Sequence, residues 1–335
     1  NKHYLCVMPE GNHGDQRKLR TIVKGIFRIA FQAQEDAGSE TFVKILPVGL
    51  DFGDYVKQNA TLFINYGKPI EVSEYWALYQ ESNARGINAL KARLGEELSP
   101  LMIDIQNETH YEAIYLLKGI FNDTMREMMG ISGSKLSDRF RADKALISGV
   151  EKALEKEDET SGRFGQVLEK VLEYDKGVKG MNIRDWVVRD KGMALGRRWW
   201  RYLYLLLTLP FFLYGLLTNA IAYFLPVRLV RNIKDLQFHA SVKAGLGILI
   251  LFPLTYLLQT LLVGLITGPW WIWLAYLLSL FPLGKFALWW YVRWKKTRRG
   301  SWFRRQLLRS KSCALDLVKL RKEIVEETTE LLTRT

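Results

Sequence analysis

Cysteine, histidine and, over long stretches, charge of any kind are what this chain has little of, and each shortage removes a class of function. Its two cysteines, Cys6 and Cys313, stand far apart with no spacing typical of a disulfide framework or a zinc site, so a reducing compartment is expected. The four histidines, His3, His13, His110 and His239, are scattered without metal-ligand spacing, and no metal is expected. His110 and His239 read as packing residues, because neither has an acid and a nucleophile converging on it. "GISGSK" at residues 130–135 fits neither a P-loop nor a serine-hydrolase elbow. No secretory signal precedes Leu5 and the chain does not open on Met, so its start carries no targeting information.

Charge is absent from residues 202–225, 24 positions, and from residues 244–284, 41 positions. A hydrocarbon core about 30 Å thick needs about 20 helical residues, so the first run is long enough to span it once and the second nearly twice. An integral membrane protein follows. "TGP" at residues 267–269 splits the longer run into residues 244–266 and 270–292, and Trp199, Trp200, Trp270, Trp271, Trp289 and Trp290 mark the ends of the runs, where amphipathic rings favour the interface.

The net charge of +13 belongs to the flanks of these runs. Residues 285–311 hold ten Lys and Arg and no acid; residues 179–201 hold seven against two Asp, and residues 228–243 four against one. Because the charge tracks the apolar runs, a nucleic-acid partner is not expected and membrane lipids are. The turn at residues 267–269 has no Lys or Arg and should lie on the far side, with the last two runs forming a hairpin. Basic residues on both sides of the first run, and Pro210 within it, favour a re-entrant or interfacial element over a single pass. The N-terminal part and the tail would then both face the cytoplasm, in an inner or cytoplasmic membrane.

The first hundred residues alternate in an α/β manner. "YLCVM" and "FVKILPVGL" read as strands, residues 24–37 have helical spacing, "TLFINYGKPI" reads as a strand ending in a turn, and residues 73–97 as a helix. Residues 98–183 read as mostly helical, with "EKALEKEDE" a solvated face and no chemistry evident.

Four short blocks then carry a resemblance. "MPEG" at residues 8–11, Lys24-Gly25, "ILPVGL" at residues 45–50 and "NYGKPI" at residues 65–70 resemble, in order and spacing, blocks of the glycerolipid phosphate acyltransferases, which acylate glycerol 3-phosphate or lysophosphatidate. The motifs cover about residues 4–70. The helical middle and hydrophobic C-terminal half look like the extended membrane-bound bacterial members of that family.

The resemblance implies an α/β fold class: a partial acyltransferase domain at 1–98, a helical extension at 99–198, a membrane-embedded region at 199–292 and a basic, amphipathic C-terminal helix at 293–335. It also implies fatty acyl transfer from a thioester, acyl-CoA or acyl carrier protein, to a glycerol-phosphate acceptor, with no cofactor. Glu10 and Gly11 would help hold the acceptor. A Gly-containing turn with Arg17, Lys18, Arg20 and Lys24 nearby suits its phosphate, because backbone N–H groups and cations cradle an anion.

Two departures stand out. Asn12, His13 and Gly14 replace the family's Thr-Arg-Ser, removing its phosphate-binding Arg. No His is followed five residues later by Asp, so the family's His-x-x-x-x-Asp, whose His is the general base, is missing. In the family that motif lies upstream of the Pro-Glu-Gly block, as does Gly-x-x-Phe-x-x-Arg; the chain is therefore expected to begin inside the domain. His13 with Asp15 is the alternative base. The competing reading is a non-catalytic membrane protein that binds anionic lipid through its basic segments.

Overall fold

The structure is a computed structural model that describes residues 4–11, 14, 16–38, 42–53, 61–156, 158–234 and 238–334. The chain divides into two compact units. The first comprises Asn1–Gly53, Thr61–Glu173 and Ile324–Thr335, and the second Asp54–Ala60 and Tyr174–Glu323.

The expectation of an α/β acyltransferase fold is overturned: the chain is 75% helical and 4% strand, and the strands make two small antiparallel sheets. Helix α1 (Gly25–Ala37) precedes β1 (Lys44–Ile45), β2 (Val48–Phe52), β3 (Leu62–Tyr66) and β4 (Ile70–Glu71). β2 pairs with β3 through Val48 opposite Tyr66 and Gly49 opposite Asn65, and β1 pairs with β4 through Ile45 opposite Ile70. Pro47, which has no N–H to give a ladder, separates β1 from β2 and accepts the Gly67 amide instead at 2.9 Å.

"YLCVM" is not a strand. Tyr4, Leu5 and Met8 are exposed, and Cys6, expected in a buried strand, is exposed as well. An apolar run of that length becomes a strand only where a neighbouring strand offers ladder partners and a core face, and the described residues offer neither here.

Residues 73–97 contain α2 (Trp76–Glu81) and α3 (Asn83–Leu98), interrupted at Ser82, whose backbone is extended. Phe27, Ala30 and Phe31 of α1 recur at helical spacing and pack with Ile70, Val72, Ile87, Leu90, Leu94 and Leu98. Phe31 stacks on Tyr79 at 4.0 Å between ring centroids. Beyond them run α4 (Tyr111–Met128), α5 (Leu136–Glu155) and α6 (Glu159–Gly180), as the periodicity of that region predicts.

In the second unit α7 (Asp185–Arg189) leads to α8 (Leu195–Leu207), α9 (Leu209–Leu229), α10 (Phe238–Ala244), α11 (Phe252–Thr267), α12 (Trp270–Leu308) and α13 (Ser312–Arg334), the last of which ends in the first unit. Buried Ala314, Leu317, Ile324 and Leu331 lie along one stripe of α13, which is therefore amphipathic, while residues 293–308 continue α12.

Among the described residues three helical stretches are long and apolar enough to cross a membrane: Leu209–Asn232, Phe238–Thr267 and Trp270–Leu308. The chain breaks at Thr208, ahead of Pro210, where the sequence suggests one continuous run; proline's preference for the first turn of a helix sets that start.

Helices α11 and α12 form a hairpin at Gly268, whose φ of 77° suits glycine. The Tyr276 hydroxyl donates to Gln259 Oε1 at 2.9 Å across it. Helix α9 packs on both arms: Phe212 stacks on Trp290 at 4.1 Å, Asn219 Nδ2 donates to Leu280 O at 3.3 Å, and Tyr256 donates to Asn219 Oδ1 at 2.6 Å. Further along, Pro226 lies beside Gly247. As α9 is followed forward its partners step backward along α12 and also along α11. The longer of these contacts is with α12, along which Phe212, Gly215 and Asn219 meet Trp290, Leu283 and Leu280 in antiparallel order.

Candidate functional site

The four sequence blocks come together in pairs. Val23 N donates to Pro9 O at 2.8 Å, setting the Met8–Gly11 turn against the residues that precede Lys24-Gly25. Gly11 has φ 63°, and a Cβ there would sit 2.9 Å from Val23 Cγ1, so the turn needs glycine for its backbone and for its contact. The third and fourth blocks are joined by the β2–β3 and β1–β4 ladders.

Each cation singled out by the sequence has a distinct place. Arg17 is half-buried, ion-paired with Asp51 and hydrogen-bonded to Phe52 O. Its backbone N donates to the Tyr111 hydroxyl at 2.6 Å, its carbonyl accepts from Ile105 N at 2.9 Å, and its guanidinium lies 5.6 Å from the Tyr115 ring centre. Lys18 pairs with Glu108 at 2.7 Å, and that hydrogen bond holds the Glu108 carboxyl below the usual carboxylate range. Leu19 N donates to Asp104 Oδ1 at 2.9 Å. Burial pushes the Tyr111 hydroxyl up, against the opposing pull of Arg17.

Arg20 lies with its guanidinium against Gly14, so closely that a side chain at Gly14 would collide with it. Lys24 is exposed at the N-cap of α1, where the helix dipole and the lysine both favour an anion. Glu10 is half-buried in the turn. Asn12, His13 and Asp15, including the alternative base and its partner, lie outside the described residues.

Sequence reasoning missed the segment that braces this loop. Asp104, Glu108 and Tyr111 sit some ninety residues on, in a region that reads as a helical extension without chemistry, and they tie down three consecutive residues, Arg17 to Leu19. No spacing in the sequence announces them. Asp104 is itself fixed by Ser99 at 2.8 Å and Gln106 at 2.7 Å. The remaining histidines make local contacts: His110 occupies the N-cap position of α4, its backbone N donating to Asn107 Oδ1 at 2.8 Å, and His239 Nε2 lies 2.8 Å from Ile233 O.

The bracing gives a stability prediction. The side chains of Arg17 and Asp51 are only 9% and 20% exposed, so Arg17→Gln strands a mostly buried carboxylate and should cost about 3 kcal/mol. Lys18→Gln, which breaks a pair whose glutamate is 79% exposed, should leave the unfolding midpoint unchanged. Urea denaturation of the two variants side by side checks the contrast; equal midpoints would show that the Arg17 pair braces nothing.

No protein-family model matches this chain, and neither a curated protein nor a solved structure matches it. The site is therefore interpreted from its own chemistry.

Proposed function

We propose that this chain belongs to a membrane-bound acyltransferase that moves a fatty acyl group from a thioester to the hydroxyl of a glycerol-phosphate acceptor. The observation that carries the reading is the pairing of the four blocks: the Met8–Gly11 turn rests on the strand of chain that enters Lys24-Gly25, and residues 45–50 pair with residues 65–70. A resemblance spread over 60 residues of sequence is thus gathered locally in space. Apolar helices on the same chain suit an acylated product that resides in a bilayer.

In this reading Glu10 and the Gly11 turn position the acceptor, and Arg20 and Lys24 face its phosphate. Arg17 and Lys18, engaged by Asp51 and Glu108, hold the loop in shape. A general base takes the acceptor hydroxyl proton, the oxygen attacks the thioester carbonyl, the C–O ester bond forms, and the C–S bond breaks to release the thiol. The resemblance gives that step to a His-x-x-x-x-Asp pair, which this sequence does not contain. In this reading the basic flanks of the apolar helices favour a cytoplasmic side for the loops that follow them and for the tail.

The test is a thioester-consumption assay with glycerol 3-phosphate and lysophosphatidate as acceptors, run on this chain and on the full reading frame that encodes it. The chain alone should give no turnover above buffer. In the full protein Glu10→Gln should lower kcat/KM by about 10²-fold, as loss of a positioning contact does, without moving the melting temperature. Lys24→Ala should raise KM for the acceptor about tenfold and leave KM for the thioester unchanged. Turnover by the chain alone that His13→Ala abolishes would put the base in the turn, and no turnover by the full protein with either acceptor would favour the non-catalytic, lipid-binding reading.

A further inference from the structure

A second group of cations lies in the other unit. Arg197, Arg201 and Tyr204 recur at spacings of four and three on α8, which sets them on one face. Helix α12 brings Trp289 and Arg293, one turn apart, against it. The Arg293 guanidinium lies 4.6 Å from the Trp289 ring centre and 5.4 Å from that of Tyr204, and the two rings meet edge to face at 5.9 Å. Next to them Trp290 Nε1 donates to Leu205 O at 3.2 Å and to Thr208 Oγ1 at 3.1 Å, which fixes the rotation of α12 against α8.

Charge here is uncompensated. Among the described residues no carboxylate pairs with Arg197, Arg201 or Arg293, while Asp185 is held by Arg321 and Tyr174, Asp190 by Arg189, and Asp175 by Lys179. From residue 191 to residue 315 the sequence has 18 Lys and Arg against a single acid, Asp235. Burial of Arg201, then repulsion by Arg293 and Arg197, pulls its pKa down, a penalty that a bound anion would relieve. The Arg293 guanidinium, held over its rings, still presents its N–H edge, and together with the Arg201 guanidinium it suits one phosphate.

The surroundings identify the source of the phosphate. Arg293 lies 23 residues, about 35 Å of helix, beyond Trp270, roughly one hydrocarbon thickness from the hairpin turn and so at headgroup level. Leu206 and Leu207 on α8 are 66% and 69% exposed beside it, as are Trp199 and Trp200 at 68% and 74%. We infer that Arg201 and Arg293, backed by Tyr204 and Trp289, form a binding site for the phosphate of an anionic phospholipid whose chains lie along the apolar face of α8. The inference rests on the membrane placement of these helices and is independent of acyl transfer.

Native mass spectrometry of the full chain in detergent, titrated with dioleoylphosphatidylglycerol, dioleoylphosphatidylcholine or inorganic phosphate, tests it. Phosphatidylglycerol should bind at least about tenfold tighter than phosphatidylcholine, and Arg201→Gln and Arg293→Gln should each weaken it about tenfold, the effect of one charge-assisted contact. Arg305→Gln, which removes the same charge farther along α12, should change nothing, and Arg293→Lys should fall between wild type and Arg293→Gln. Should Arg293→Gln fail to fold, Arg201→Gln carries the test, since Arg201 makes no ring stack. Wild-type binding by Arg201→Gln overturns the site, and so does an equal loss with Arg305→Gln, which would mean diffuse attraction. Inorganic phosphate binding as tightly as phosphatidylglycerol overturns the assignment to lipid.

Discussion

A cysteine placed at residue 267 reacts with a membrane-impermeant maleimide added outside cells, while Cys313 and a cysteine at residue 232 do not: this is the result expected for Thr267→Cys and Asn232→Cys in a Cys6→Ser background. The reason is a parity argument. Met193 N donates to Gly300 O at 3.2 Å, Arg321 Nε donates to Asp185 Oδ1 at 2.7 Å, and Arg299 reaches Asn182. Residues 182–193 and 299–321 therefore lie on one side of any bilayer, and an even number of crossings must separate them. Among the described residues three helices are apolar enough to cross, so an even number leaves at least one that does not, the expected topology. Helix α9 is the one with basic residues at both ends, Arg197, Arg198 and Arg201 before it and Arg228 and Arg231 after it, and with Pro210 in its first turn, which favours it as the stretch that does not cross. Labelling of residue 232 and Cys313 with protection of residue 267 fits three crossings or the reversed orientation, and Asn182→Cys separates them: protected, it establishes three crossings and overturns the argument; labelled, it reverses the orientation and keeps the parity.

Replacing Gly215 by leucine should abolish the folded membrane unit. A Cβ at Gly215 would lie 2.1 Å from Leu283 O and 3.0 Å from Ala287 Cβ, so the obstacle is the backbone of α12, which cannot rotate aside as a side chain can. Overpacking against such an obstacle should cost more than about 3 kcal/mol and force α9 away from α12. The same separation would break the bonds of Asn219, which reaches Leu280 O and Tyr256 from α9. Gly264→Ala is the matched control, because its new methyl would meet Trp273 at 3.5 Å, an ordinary contact. Size-exclusion chromatography of heated, detergent-solubilised protein reads the outcome. A Gly215→Leu peak that survives heating as the Gly264→Ala peak does would mean that α9 and α12 are not packed as described.

The sequence alone determined the membrane character and the helical middle of this protein. Long uncharged runs and helical periodicity are local properties, and burial in a bilayer or along a helix face follows from them without knowledge of any distant residue. It also located the hairpin turn, because Thr267, Gly268 and Pro269 end one helix and start another by backbone preference. The strands were not legible in the same way: "YLCVM" is as apolar as a buried strand, but a strand exists only through its ladder partner, and that partner is a non-local fact. The same holds at the candidate site. Glu10, Gly11 and Lys24 could be picked out from motifs, whereas Asp51, Asp104, Glu108 and Tyr111 carry no mark in the sequence and acquire their roles only when folding sets them against Arg17, Lys18 and Leu19. In the sequence alone Arg17 and Lys18 look like free phosphate ligands; tertiary structure gives each a carboxylate, and at Arg17, which folding takes largely out of water, pairing the charge is cheaper than leaving it bare. In the membrane unit the count of apolar runs is written in the sequence, and the number of crossings is decided by contacts between residues more than a hundred positions apart.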